Sequence, residues 1–326
     1  MKNYKKHSKR NNKASAKERE GAGREPCGLR NSELGSLPHI YFLNFTPKIL
    51  IVCKDPLERY SSNMKKVVVK IGGSLAIDEA KLADFVSAVS TLPGSGCQVA
   101  VVHGGGKDIN ENIALLKEQP TFIDGLRVTT PGIMKMVEMT LSGHVNKKLV
   151  RMLLNNGCGA VGISGVDANL FQVVKKQGKV DLGLVGEIKK VNPGIVTALW
   201  GAGFVPVVSP ISIGPDANGK VVSWNVNADT AASELAVALE ADQFVLVSDV
   251  PGVMDENKNV IPELSEADAE KLIEAGVISG GMIPKVRESF KSIRRGLKSI
   301  HIVGWKDAEH FGKQINGDLN YGTILS

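Results

Sequence analysis

Five short stretches of this chain hold residues whose type and spacing suit the handling of a polyanion. The first is Val67-Val68-Val69-Lys70-Ile71-Gly72-Gly73-Ser74. Its β-branched run reads as a buried strand, and the paired glycines let the backbone turn sharply. Lys70 stands where that strand runs out. Ligands of open α/β sheets gather at the carboxyl ends of the strands, so Lys70 is a candidate phosphate-binding charge; a lysine ahead of an ordinary turn is the competing reading. The second stretch is Val101-Val102-His103-Gly104-Gly105-Gly106-Lys107. A strand running into three glycines and then a helix presents backbone N–H groups at a positive helix end, an anion cradle of the same kind; a plain tight turn is the alternative. The loop is neither GxxxxGK[ST] nor GxGxxG, so the P-loop and dinucleotide fingerprints do not apply.

The third stretch, Gly125-Leu126-Arg127-Val128-Thr129, follows a loop bearing Pro, Phe and Ile. There a guanidinium fork suits a substrate carboxylate in bidentate fashion. The fourth, Asn225-Val226-Asn227-Ala228-Asp229-Thr230, opens a helix. Asn227 is a natural cap for it, while two asparagines and an aspartate so close together also suggest a polar hub. The fifth is Gly280-Gly281-Met282-Ile283-Pro284-Lys285: a glycine hinge, a proline at a helix start and a second lysine near that helix's positive end. A cation there is locally unfavourable. A bound polyanion would remove the penalty.

These residues need a scaffold that brings strand ends together. From Met64 onward, apolar strands alternate with amphipathic helices. Strands are expected over Val67–Ile71, Gln98–His103, Gly157–Ser164, Phe204–Ser209, Gln243–Ser248 and Ser299–Val303. Helices are expected over Glu79–Thr91, Ile109–Lys117, Pro131–Asn155, Ile195–Trp200, Ala228–Leu239, Ser265–Ala275 and Pro284–Gly296. Leu170–Lys175 and Glu187–Val191 read as antiparallel strands at one end of the sheet. Repeated βα units predict an α/β fold: a mainly parallel sheet with helices on both faces.

Bulk properties narrow the function. The chain of 326 residues has a formal net charge of +6, but its first 63 residues hold 13 Lys/Arg against 6 Asp/Glu, and the remainder 27 against 28. The body is therefore near neutral, and a nucleic-acid role for it lacks electrostatic support. Cys27, Cys53, Cys97 and Cys158 show neither disulfide-framework nor metal-ligand spacing, which fits a reducing compartment and a cytoplasmic protein. No run of about 18 apolar residues is present to span a membrane. Residues 1–63 read as a basic, disordered extension with a broken apolar stretch at Ile40–Val52. That stretch comes too late for a secretory signal, and the tail is too acidic and too Lys-rich for a transit peptide. Met64, directly ahead of the first clear strand, is an alternative start.

In order along the chain, Lys70-Ile71-Gly72-Gly73, His103-Gly104-Gly105-Gly106, Gly125-Leu126-Arg127-Val128-Thr129, Asn225-Val226-Asn227-Ala228-Asp229, Ser248-Asp249-Val250-Pro251-Gly252-Val253 and Gly280-Gly281-Met282-Ile283-Pro284-Lys285 resemble the amino-acid kinase family. The likeness runs from about Met64 to Ser326, through Gly322-Thr323-Ile324, and takes in Val137-Glu138-Met139 and Gly143-His144-Val145-Asn146-Lys147. It departs at Val166 and Ala168, where the family often has Lys and Gly. The resemblance implies a three-layer αβα sandwich, with an amino-terminal lobe over 64–241 for acceptor binding and dimerisation and a carboxyl-terminal lobe over 242–326 for ATP. The implied reaction is transfer of the γ-phosphoryl group of ATP to the γ-carboxylate of N-acetyl-L-glutamate, in arginine biosynthesis, with Mg²⁺ held mainly by phosphates and water. Lys70 and Lys285 would stabilise the transferring group, Gly73 and Gly105 would donate backbone N–H groups to it, and Asp229 would hold both ammonium groups. Gly105, Gly106, Arg127, Asn225 and Asn227 would hold the acceptor, with Arg127 on its α-carboxylate. Asp249, Val250, Pro251, Gly252, Val253, Met254, Val277, Ile278 and Ser279 would border the nucleotide. Competing readings are a kinase for a homologous carboxylate such as acetylaminoadipate and a non-catalytic sensor on the same fold. Arginine-inhibited members of the family build hexamers through an N-terminal helix, so a start at Met64 implies an arginine-insensitive homodimer.

Overall fold

Val67, Val68, Val69 and Ile71 are all buried, as they must be in a strand whose sheet is covered on both faces. The computed structural model describes residues 64–72, 75, 78–115, 117–317 and 321–326, and expectations for residues 1–63 fall outside them. Its strands are β1 (Lys65–Ile71), β2 (Cys97–His103), β3 (Phe122–Ile123), β4 (Leu126–Arg127), β5 (Ala160–Ser164), β6 (Phe171–Lys175) and β7 (Gly186–Val191). They continue as β8 (Val205–Ser209), β9 (Ile211–Pro215), β10 (Val221–Asn225), β11 (Gln243–Ser248), β12 (Glu263–Leu264), β13 (Ile300–Gly304) and β14 (Thr323–Leu325). The α-helices are α1 (Glu79–Thr91), α2 (Gly106–Leu115), α3 (Pro131–Glu138), α4 (Asn146–Asn155), α5 (Gly194–Gly201), α6 (Ala228–Ala238), α7 (Glu266–Glu274), α8 (Met282–Arg294) and α9 (Ala308–Asn316).

An eight-stranded sheet of order β12-β14-β13-β11-β1-β2-β8-β5 forms the middle layer. Its pairings are parallel except for β13 with β14. Side-chain alternation divides the core. Val68, Ala100 and Val102 share a cluster with Trp200 of α5, Leu235 of α6 and Phe290 of α8. Val67, Val69, Val99 and Val101 share the opposite one with Phe85 of α1, Leu149 of α4 and Phe311 of α9. This is the expected αβα sandwich. Because β1 pairs with β2 on one side and β11 on the other, one sheet runs through both stretches expected to form lobes.

Two local expectations need correction. β6 and β7 do pair antiparallel, but they do not sit at an end of the large sheet. They belong to a separate four-stranded sheet, β10-β9-β6-β7, because the β9–β10 hairpin around Asp216–Lys220 brings β9 alongside β6. The helical run expected over Pro131–Asn155 is interrupted by a π-helical turn at Met139–Val145, between α3 and α4. Such turns are often found at functional sites. Among the described residues no helix is long and apolar enough to cross a membrane.

Candidate active site

At the carboxyl end of β1, Gly72 meets a tight constraint: a Cβ there would lie 2.3 Å from the Val247 carbonyl oxygen of β11. Gly73 lies outside the described residues. Lys70, in register with Val102 of β2 and Leu246 of β11, is only 8% exposed. Its Nζ stands 2.7 Å from Asp229 Oδ1. The other carboxylate oxygen, Oδ2, accepts a hydrogen bond from Lys285 Nζ at 2.7 Å. Three residues remote in sequence thus meet as one carboxylate between two ammonium groups.

The local sequence explains how each arrives. Asp229 sits in the first turn of α6, whose cap is Asn227: the Asn227 Oδ1 accepts the N–H groups of Asp229 and Thr230 at 2.8 and 3.2 Å. The cap reading of Asn227 therefore holds, and its side-chain oxygen is occupied within the helix. Lys285 lies in the first turns of α8, whose N-cap, Gly281, offers no side-chain bond. Burial by itself would raise the Asp229 carboxyl, but the ammonium groups of Lys70 and Lys285 outweigh it and hold the pKa at about 2. The carboxylate is ionised at neutral pH.

The second glycine loop abuts this cluster. A Cβ on Gly104 would lie 3.6 Å from Ala228 Cβ, beside Asp229, and one on Gly105 would lie 2.8 Å from Leu141 Cδ2 and 3.2 Å from Val145 Cγ2. The π-helical turn thus packs directly against Gly105, leaving no room for a side chain. Beneath the loop lies a polar network to which sequence reasoning gave no role. Buried His103 has Nδ1 2.9 Å from the Gly104 carbonyl oxygen and Nε2 3.1 Å from Asn146 Nδ2. Asn146, also buried, donates to the Val207 carbonyl at 2.9 Å, and its Oδ1 accepts from Lys147 Nζ at 3.0 Å. Burial pushes the imidazole pKa down to about 4, so the ring is neutral. The available signals were a histidine directly ahead of the glycines and an asparagine on an otherwise apolar helix face.

Arg127 is 7% exposed, with its guanidinium carbon 4.6 Å from the centre of the Phe122 ring. Its Nη2 donates to the Gly106 carbonyl at 3.4 Å, while Nη1 is buried without a hydrogen-bond partner. Burial lowers the Arg127 pKa, though a guanidinium stays charged. Leaving a buried donor unpaired costs about 1–3 kcal/mol, so Nη1 is a donor able to take a carboxylate. Asn225 joins this end through Thr129: Asn225 Nδ2 donates to Thr129 Oγ1 at 3.1 Å, and that hydroxyl donates to the Arg127 carbonyl at 2.9 Å. The backbone between Leu182 and Leu184 ties Thr129 to Asn225 through bonds of 2.7–2.9 Å.

The residues expected to border the nucleotide begin after β11. A Cβ on Gly252 would lie 2.7 Å from Val260 Cγ1 and 2.8 Å from Thr323 Oγ1, and the Val253 N–H donates to that hydroxyl at 2.8 Å. Val253 and Ile278, at 1% and 2% exposure, belong to the apolar core, so their side chains fix the loop and only their backbone is left for a ligand. Asp249, Pro251 and Ser279 are exposed, while Val250, Met254 and Val277 are half-buried. Among the described residues no group of three or more His, Cys, Asp or Glu converges to hold a metal, and Asp229 is occupied by ammonium groups. That donor set fits a magnesium ion held by phosphate oxygens and water rather than by a protein cage.

A sequence model described as the amino acid kinase family matches residues 65–304, a span that includes Lys70, Gly104–Gly106, Arg127, Asp229 and Lys285. The chain belongs to the amino acid kinase family. Among its relatives in that family, acetylglutamate kinase from Campylobacter curvus (strain 525.92) is 40% identical over 262 residues, covering 80% of this chain and 91% of that one. Acetylglutamate kinase from Methanoculleus marisnigri is 38% identical over 273 residues, covering 80% and 93%. The crystal structure of smu.665 from Streptococcus mutans UA159 superposes with a TM-score of 0.66 at 27% identity, covering 80% of this chain and 98% of that one.

Proposed function

We infer that this chain is an acetylglutamate kinase, transferring the γ-phosphoryl group of ATP to the γ-carboxylate of N-acetyl-L-glutamate in arginine biosynthesis. The observation that carries the reading is one carboxylate, Asp229, holding two ammonium groups at 2.7 Å each, beside a glycine loop. The reaction brings a carboxylate up to a polyanionic phosphate. At about 4 Å and an effective dielectric near 20, each pair of like unit charges costs about 4 kcal/mol. In phosphoryl transfer the protein mainly positions the reactants and stabilises charge. Lys70 and Lys285 supply that charge, and Asp229 fixes where it stands. No general base is required, because a carboxylate nucleophile has no proton to lose. The N–H groups of Gly73 and Gly105 would complete the cradle around the transferring group.

Arg127 would take the acceptor's α-carboxylate with its unpaired Nη1, with Asn225, Gly105 and Gly106 beside it. Asp249–Met254 and Val277–Ser279 would border the nucleotide. Bound magnesium would neutralise phosphate charge. Residues 64–241 and 242–326 would act as acceptor and nucleotide lobes, and their closure would shield a labile acyl phosphate from water. A homodimer in the cytoplasm completes the reading; the described cysteines, Cys97 and Cys158, are unpaired and buried, as suits a reducing compartment. Light scattering that reports hexamers would overturn the dimer.

Coupled assays of ADP release across a panel of carboxylates test the activity. N-Acetyl-L-glutamate should give the highest kcat/KM, with the acetylaminoadipate homologue about 10–200-fold lower, the usual value of one methylene. Preference for the longer acid would reassign the acceptor. Binding without ADP release would make the protein a sensor.

A further inference from the structure

What aims the Gly105 N–H is the group that holds the other side of its peptide plane. The Gly104 carbonyl and the Gly105 N–H belong to one planar unit and point in opposite directions. That carbonyl oxygen stands 2.9 Å from His103 Nδ1. A carbonyl only accepts, so Nδ1 carries the proton, and the bare Nε2 accepts from Asn146 Nδ2 at 3.1 Å. Neither residue has freedom to drift. Both are buried, and Asn146 is fixed in turn by the Val207 carbonyl and Lys147 Nζ. The π-helical turn that delivers Asn146 also walls the Gly105 side of the loop with Leu141 and Val145. The peptide plane is thus gripped by an imidazole at its carbonyl and by apolar side chains at Gly105, and its N–H points away from the imidazole.

We propose that His103, pinned by Asn146, is a positioning residue that aims the Gly105 N–H at the transferring phosphoryl group. The proposal rests on the kinase reading above. The imidazole touches no substrate and moves no proton. It supplies one neutral donor to Gly104; burial, with the Lys147 charge, keeps it neutral against the Gly104 hydrogen bond and the Asp108 charge.

The shape of amide side chains offers the test. An asparagine amide nitrogen reaches about where Nδ1 lies and can donate to Gly104, whereas a glutamine amide reaches the Nε2 position and cannot. The experiment compares wild type with His103→Asn, His103→Gln and His103→Leu in ADP release and thermal melting, and reads the imidazole tautomer of ligand-free wild type by ¹⁵N NMR. The expected result is an Nδ1–H tautomer, with kcat falling about 10–100-fold in the Gln and Leu variants, short of the full loss of one donor. KM for N-acetyl-L-glutamate should stay within about threefold, and His103→Asn should recover most of kcat. An Nε2–H tautomer, equal damage from Asn and Gln, or a Leu variant with unchanged kcat overturns the proposal. If the Leu variant does not fold, the Asn–Gln contrast and the tautomer decide. A wild type that releases no ADP overturns the kinase reading and this proposal with it; any contrary result in an active wild type overturns this proposal alone.

Discussion

Lys70, Asp229 and Lys285 are held together by ion pairs of 2.7 Å, whereas Arg127, over the Phe122 ring and donating to the Gly106 carbonyl, has a buried Nη1 without a hydrogen-bond partner. One end of the site pairs both oxygens of its carboxylate and keeps a net positive charge; the other is left short of an acceptor. A cluster whose charges are already held in place acts by where it holds them. An incomplete one gains most when a ligand fills it. The first should therefore appear in rate and the second in affinity.

Substitution of the lysines puts that contrast under the greatest strain. Lys285→Ala or Lys70→Ala should lower kcat about 10²–10³-fold, by analogy with removing one oxyanion donor. Full activity in Lys285→Ala, measured by ADP release, would contradict a catalytic cluster. Arg127→Ala should act mainly on KM for N-acetyl-L-glutamate, raising it about 10–100-fold, the value of a hydrogen bond to a charged group. An unchanged KM would remove the distinction between the two ends.

Acid sharpens the comparison further. The Asp229 carboxyl titrates at about 2 in the folded protein, against an ordinary value of 3.8. A depressed carboxyl contributes stability that is complete above its unfolded pKa and is lost as pH falls through the folded one. The stability difference between wild type and Asp229→Asn should thus be flat across neutral pH and shrink only from about pH 4 toward pH 2. Urea midpoints that drift between about pH 6 and 8 would point to a different titrating group. The smallest effect serves as a control outside both ends. Ala168 adopts φ 50°, ψ 28°, a left-handed conformation that favours glycine. Ala168→Gly should stabilise the protein by about 1 kcal/mol, raising Tm while leaving kcat and KM unchanged.

Much of the site was legible because its residues violate local expectation. Lys70 ends an apolar strand, Lys285 sits at the wrong end of a helix dipole, and Gly72 and Gly104–Gly106 interrupt strand–helix junctions. Their convergence on Asp229 was not legible from the residues alone, since no spacing joins positions so far apart. The large sheet was readable for a similar reason: its buried strands are nearly continuous apolar runs. The β9–β10 hairpin was missed although Ile211-Ser212-Ile213-Gly214 alternates as a strand does, because the run is only five residues long and ends on Pro215. The π-helical turn hid behind Val137, Leu141 and Val145, whose four-residue spacing suits an ordinary helix equally well. Val253 and Ile278 lie in stretches expected to border the nucleotide; their buried side chains leave the backbone for that role, a division the residue types alone do not reveal.

Thr323 carries a consequence of its own. Its hydroxyl accepts the Val253 N–H and stands in the space a Gly252 side chain would need, so the turn after β11 is braced by β14. A polypeptide stopped or trimmed ahead of that threonine would retain both lysines, Asp229 and Arg127 while losing the brace. Such a fragment would also lose β14, and with it the pairings to β12 and β13 and the buried Leu325 side chain.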